Sequence, residues 1–85
     1  MLKLIKNKIV ISGQQSYIID NAVLIIFTSQ GGLNISLDDE NDEKTIYTEN
    51  NTYVLYAPSN TFFNNLKVTN LTGDTLILNF FTPQV

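Results

Sequence analysis

The stretch that decides the reading runs Leu66-Lys67-Val68-Thr69-Asn70-Leu71-Thr72-Gly73-Asp74-Thr75-Leu76-Ile77-Leu78-Asn79-Phe80-Phe81. Two apolar runs flank Thr72-Gly73-Asp74, a turn triplet whose glycine is free to take positive φ, so the pattern predicts a β-hairpin. Alternation with period two puts Leu66 and Val68 on one face of the first strand, and Leu76, Leu78 and Phe80 on one face of the second. This hairpin is expected to form the centre of the core. Ile77 and Phe81 fall on the other face, where a two-layer sandwich ordinarily shows polar groups to water. Something else is therefore expected to cover that second face.

Working outward, the same alternation organises the rest of the chain. Leu2 to Ile11 reads as an edge strand, with Lys3, Lys6 and Lys8 set between Leu2, Leu4, Ile9 and Ile11 to discourage further pairing. Ser12-Gly13-Gln14 breaks it, and Gln15 to Ile19 is a short strand with Tyr17 and Ile19 on one side. Ala22 to Phe27 is the most apolar run and predicts a central strand buried on both faces, with Leu24 and Ile26 opposite Val23, Ile25 and Phe27. Thr28 to Gly32 turns into Leu33, Ile35 and Leu37, which predicts a second hairpin. Residues 38–44 form a charged loop, 45–48 a short strand, and Thr52 to Ala57 a strand with Tyr53 and Leu55 on one face and Val54 and Tyr56 on the other. Pro58 ends it, because proline cannot donate to a ladder.

No stretch holds helical spacing of apolar residues long enough to predict a helix. The fold class is all-β: a small antiparallel β-sandwich or jelly-roll-like domain of about eight short strands, with periodicity alone leaving sandwich, jelly roll and small barrel open. There is also an internal echo. Ser16-Tyr17-Ile18-Ile19 resembles Thr52-Tyr53-Val54-Leu55, and Thr28 to Leu37 resembles Thr69 to Leu78, each with a glycine in its turn. Two Greek-key units would produce such a repeat, as would the reuse of strand-forming residues common to β-proteins.

Composition narrows the function. The 85 residues are read as a single domain, 1–85, of a size at which folding buries only about 60% of the unfolded chain's surface. There is no Cys and no His, so neither a disulfide framework nor the commonest metal ligands can staple so small a core. Oligomerisation is the remaining staple. The net charge is −3, and the five cationic side chains are all lysines. Without arginine or a basic patch, direct nucleic-acid binding is not expected. Lysines interrupt the N-terminal apolar run before it reaches signal-peptide length, and no apolar stretch approaches the roughly 20 residues of a membrane helix. The expectation is a chain made in a cytoplasm, without a signal peptide and without a membrane partner.

Chemistry-bearing constellations are few. Asp38-Asp39-Glu40-Asn41-Asp42-Glu43 is the one dense ionisable cluster, and Asp38, Glu40 and Asp42 offer hard oxygens at the alternate positions calcium accepts. The run lacks the glycine and downstream glutamate of an EF-hand loop, so these three remain a weak candidate metal set beside the plainer reading of a solvated acidic loop. No Ser-His or Cys-His arrangement is possible, no phosphate-cradling glycine loop occurs, and no cofactor is implied. An enzyme is the least expected class. Tyr17, Tyr47, Tyr53 and Tyr56, with the many asparagines, would suit a carbohydrate- or ligand-binding β-sandwich if they shared a concave face, although strand tyrosines are more often half-buried packing. Asn34-Ile35-Ser36, Asn50-Asn51-Thr52 and Asn70-Leu71-Thr72 match glycosylation acceptors, and in an asparagine-rich chain without a secretion signal they are read as chance.

In phrasing, Gly13-Gln14-Gln15-Ser16-Tyr17-Ile18-Ile19, the step Phe27-Thr28-Ser29 into a glycine turn, and the closing Leu66 to Leu76 segment resemble small β-sandwich virion proteins of tailed bacteriophages, the head-decoration and head-fibre components among them. The resemblance implies a structural subunit of the virion, made in a bacterial cytoplasm, that coats or joins a capsid or tail through protein contacts. It carries over no binding residue. The residues point the same way, since Leu24, Ile26, Ile77 and Phe81 are surplus to a sandwich core and predict a subunit interface. A homo-oligomer is expected, with a trimer favoured.

Overall fold

The computed structural model describes residues 3–39 and 42–84. Eight strands follow one another: β1 (Leu4–Ile11), β2 (Ser16–Ile19), β3 (Leu24–Thr28), β4 (Leu33–Asp38), β5 (Glu43–Thr48), β6 (Thr52–Tyr56), β7 (Leu66–Asn70) and β8 (Leu76–Pro83). They form two four-stranded sheets, ordered β1-β8-β3-β6 (sheet A) and β2-β7-β4-β5 (sheet B). Every pairing is antiparallel. The pairs β1/β8, β2/β7, β3/β6 and β4/β5 are nested inside one another, so the chain is one long ribbon folded back at the acidic loop. Rolling that ribbon up and joining β3 to β8 and β4 to β7 closes the sheets, and this is the jelly-roll order.

This order corrects the expected hairpins. β7 lies in sheet B and β8 in sheet A, and likewise β3 lies in sheet A and β4 in sheet B. Both connections are arches that cross between the layers. Alternation could not separate the two cases, because strands facing each other across a core and strands side by side in a sheet place the same residues inward. Gly73 does not take positive φ, and a Cβ added there would meet nothing. The glycine that matters is Gly32, at φ 102° and with Thr48 O 2.7 Å from where its Cβ would stand. The expected edge and central positions are found, with β1 at a margin of sheet A and β3 between β8 and β6, but β3 starts at Leu24 and not Ala22 and is buried on its inner face alone, Leu24 and Ile26 being half-buried. Asp38, Glu43 and Lys44 belong to strands and not to the loop. Leu2 and Glu40 lie outside the described residues.

The inward faces follow the sequence. Ile11, Ile25, Phe27, Leu76, Leu78 and Phe80 from sheet A pack on Ile19, Leu33, Ile35, Leu37, Leu66 and Val68 from sheet B. Tyr17 packs tilted against Phe80 and Tyr53 against Phe27, with ring centroids 6.2 and 6.3 Å apart. Asn70, only 1% exposed, ends β7 with its amide aimed inward. Its Nδ2 donates to Ile11 O at 3.2 Å and Asp74 O at 2.7 Å, while its Oδ1 accepts from Thr72 N at 3.1 Å and Thr72 Oγ1 at 2.7 Å. One buried side chain thus ties the β7–β8 arch to β1. At the other end Asp20 and Asn64 lock the β2–β3 and β6–β7 loops together, Asp20 Oδ1 accepting from Asn65 N and Asn64 Oδ1 from Asn21 N.

The internal echo has a topological counterpart. Advancing every strand of sheet A by four places along the chain, cyclically, turns β1-β8-β3-β6 into β5-β4-β7-β2, which is sheet B read from its other edge. Under that shift β2 falls on β6 and the β3–β4 arch on the β7–β8 arch, the same segments whose sequences match. Among the described residues no helix is long and apolar enough to cross a membrane.

Candidate interaction face

The two sheets differ in what they turn outward. On sheet B the outward side chains include Ser16, Ile18, Asn34, Ser36, Asp38, Thr45, Tyr47, Lys67 and Thr69, a mostly polar set. That is the ordinary arrangement for an antiparallel sheet wetted on one side. Sheet A turns out Leu24 and Ile26 from β3, Ile77 and Phe81 from β8, Val54 and Tyr56 from β6, and Val10 from β1.

Strand register assembles these residues into rows. Lys6, Phe81, Leu24 and Tyr56 lie side by side across the sheet. The next row is Lys8, Asn79, Ile26 and Val54, and the one after it Val10, Ile77, Thr28 and Thr52. All four residues expected at an interface, Leu24, Ile26, Ile77 and Phe81, are therefore neighbours on one surface. Leu24 and Phe81 stand directly opposite each other, and Ile26 and Ile77 lie on a diagonal within side-chain reach. Each is half-buried by the others, whereas Val54 at 38% and Tyr56 at 71% are exposed at the β6 margin. Lys6 and Lys8 border the opposite margin.

In the middle of this surface is Asn79, whose Oδ1 is buried yet accepts no hydrogen bond. Such an orphan acceptor carries a desolvation penalty of about 1–3 kcal/mol until a donor reaches it. Val54 and Asn79 were not singled out by sequence reasoning, and Tyr56 entered it only as one of four tyrosines for a ligand-binding surface. The alternation of β6 already put Val54 and Tyr56 on one face, but only the pairing of β6 with β3 shows that it is the same face as Leu24 and Ile26.

The other sequence candidates go elsewhere. Asp39 and Asp42 close the β4–β5 hairpin, Asp39 Oδ1 accepting from Asp42 N at 2.8 Å and Asp42 O from Asp39 N at 3.0 Å. Asp38 stands in the β4 ladder opposite Glu43 and Lys67. Among the described residues no group of three or more acidic side chains is placed to hold a metal ion. The four tyrosines are dispersed: Tyr17 and Tyr53 turn inward at two different edges, Tyr56 outward on sheet A, and Tyr47 outward on sheet B. A cleft of about 130 Å3 between the sheets, lined by Leu37, Leu55, Phe63 and Leu66 with Asp39, Asp42 and Lys44 among its polar lining, is well below the roughly 300–1,000 Å3 of small-molecule sites. A groove of about 480 Å3 at the opposite end, lined by Thr28, Ser29, Gln30, Asp74, Thr75 and Ile77, does fall within that range, and in it the Ser29 hydroxyl donates to Thr75 O at 3.0 Å.

No protein-family model, curated protein or solved structure gives a significant match to the chain.

Proposed function

We propose that this is a non-enzymatic structural protein whose work is to make protein contacts, through the outer face of sheet A. The observation that carries this reading is the asymmetry of the two sheets. A wetted jelly roll needs apolar residues on its inner faces only, as sheet B illustrates, whereas sheet A holds Leu24, Ile26, Ile77 and Phe81 together on its outer face. At about 25 cal/mol for each Å2 of apolar surface removed from water, covering that face adds stability that an 85-residue core is short of.

The occupant is another subunit, first of all a copy of this chain in a homo-oligomer. In the setting that the resemblance to small β-sandwich phage proteins implies, it is also a neighbouring virion protein. The chain then serves as a capsid-decoration, head-fibre or tail-associated subunit, with no nucleic acid or membrane partner. Light scattering coupled to size exclusion tests the homo-oligomer, with an oligomer expected at tens of micromolar. Ile77→Asp or Phe81→Asp places a carboxylate in the contact while leaving the inward face alone, and should release a smaller, folded species. A wild-type monomer at that concentration refutes the self-contact, and an Asp variant that unfolds without dissociating assigns those residues to the monomer's own packing.

A further inference from the structure

The hydrogen-bond phase of sheet A shows which backbone groups of β6 are already used. Ala57 N donates to Val23 O and Ser29 N to Asn51 O, both at 2.9 Å, at the two ends of the β3/β6 ladder. In an antiparallel pair the bonded residues alternate, so Tyr53 and Leu55 exchange bonds with Phe27 and Ile25. The N–H and C=O groups of Thr52, Val54 and Tyr56 therefore point in the sheet plane away from β3, toward an edge where no strand sits.

Edges of this kind are normally blunted by lysine, proline or a bulge. On the other edge of sheet A, β1 carries Lys6 and Lys8 at the residues with free backbone groups. Strand β5 has Glu43 and Lys44, and β2 is only four residues long. In β6, Thr-Tyr-Val-Leu-Tyr has no such guard, and no charged residue occurs anywhere from Asn50 to Leu66.

We propose that β6 pairs antiparallel with β6 of a second copy of this chain, about a two-fold axis through Val54. The edge is self-complementary in that register. Val54 faces Val54 of the other copy and Thr52 faces Tyr56, so all three residues with free N–H and C=O groups fall in hydrogen-bonded pairs. A two-fold perpendicular to the sheet keeps both apolar faces on the same side. The inference rests on the contact function proposed for sheet A and supplies what that face lacks in size. Four strands about 4.8 Å apart and about five residues long span only about 320 Å2, against roughly 800 Å2 per partner in a standard interface. Two joined sheets offer about 650 Å2 as one surface. Two-fold pairing builds even-numbered assemblies, and so replaces the trimer favoured from the sequence.

Amide hydrogen exchange by NMR on the wild-type chain tests the pairing without any mutation. The outward amides of Thr52, Val54 and Tyr56 should exchange at least about tenfold more slowly at high protein concentration than on dilution, with Tyr53 and Leu55 protected at both. Val54→Pro removes the central donor at a position where its N–H is not used by the monomer, and should give a folded species of half the wild-type mass. Fast exchange at Val54 and Tyr56 in an intact oligomer overturns the proposal, as does a wild-type trimer. If Ile77→Asp dissociates the protein and Val54→Pro does not, the edge pairing fails while the face reading survives. The reverse pattern supports the edge and removes the face as a self-contact. If Val54→Pro does not fold, the exchange result on the wild type decides.

Discussion

Asn70→Asp changes one atom in the core, and the structure fixes what that atom faces. Nδ2 lies 2.7 Å from Asp74 O and 3.2 Å from Ile11 O, both acceptors, so the amide nitrogen is the only chemically allowed occupant of that position. A carboxylate would aim an anionic oxygen at two carbonyl oxygens in a site 1% exposed. Two donor bonds are lost, and leaving a buried group unsatisfied is worth about 1–3 kcal/mol each, so a loss of roughly 3–5 kcal/mol at pH 7 follows. Stability for a chain of this length is on the order of 4–13 kcal/mol, so the melting temperature should fall by more than about 10 °C. The pH dependence has a definite sign. Burial beside carbonyls raises the folded-state pKa of the new carboxyl above its unfolded value of about 3.9, so the variant keeps its stability below that value and loses it as the pH rises. The wild type has no such group at this position. Urea unfolding of both proteins at pH 3.5 and pH 7 gives the comparison, with a gap that widens at pH 7. A variant within about 1 kcal/mol of wild type at pH 7, or a gap that does not change with pH, would refute the assignment of Asn70 as the tie between β1 and the β7–β8 arch.

Three further outcomes are expected. Leu78→Ala or Leu76→Ala should lower stability by about 2–5 kcal/mol, whereas Thr75→Ala, whose side chain is exposed, should lower it far less; denaturant titration measures all three. Gly73→Ala should be neutral or stabilising by about 0.4–1 kcal/mol, because its φ suits any residue and its surroundings are open, while Gly32→Ala should lose on the order of 1–3 kcal/mol or more to its positive φ and the nearby Thr48 carbonyl. Thermal melts in millimolar calcium and in chelator should coincide, and a rise of several degrees with calcium that disappears in Asp42→Ala would identify a site in the acidic loop.

The strands and their faces were legible because period two is a local property: Leu76, Leu78 and Phe80 sit inward and Ile77 and Phe81 outward wherever the strand is placed. Partnership is not local. The arch from Asn70 to Leu76 contains the residue types of a hairpin turn, and only the pairing of β7 with β2 and β4, and of β8 with β1 and β3, shows that the chain crosses to the other sheet, where the Asn70 amide bonds Ile11 O 59 residues away. The asparagines were similarly ambiguous. As a composition they resembled sugar ligands, yet Asn21, Asn60 and Asn65 occupy positive-φ turn positions and Asn70 is buried. Small amides tolerate the left-handed region and satisfy nearby backbone groups, uses that a count cannot distinguish from binding. The outward face was legible in part, through Leu24, Ile26, Ile77 and Phe81, because apolar groups on both sides of a strand betray a second contact. Its extension to Val54 and Tyr56, and the open edge beside them, required the strand order.

The nesting of the pairs has a kinetic consequence. Of the nested pairs only β4 and β5 are consecutive in the chain, and each later pair closes a larger circuit, until Asn7 meets Thr82 across 75 residues. Each closure loses chain entropy before its contacts are gained, so folding should be slow for so small a domain, in the millisecond-to-second range of sheet proteins rich in distant contacts. Strand β8 supplies the middle of sheet A and follows the other seven in sequence. On a translating ribosome β3 would therefore wait, its Leu24-Ile25-Ile26-Phe27 run uncovered, until β8 had emerged. That interval is when this chain is most open to aggregation, and slowing synthesis would lengthen the exposure without helping the fold.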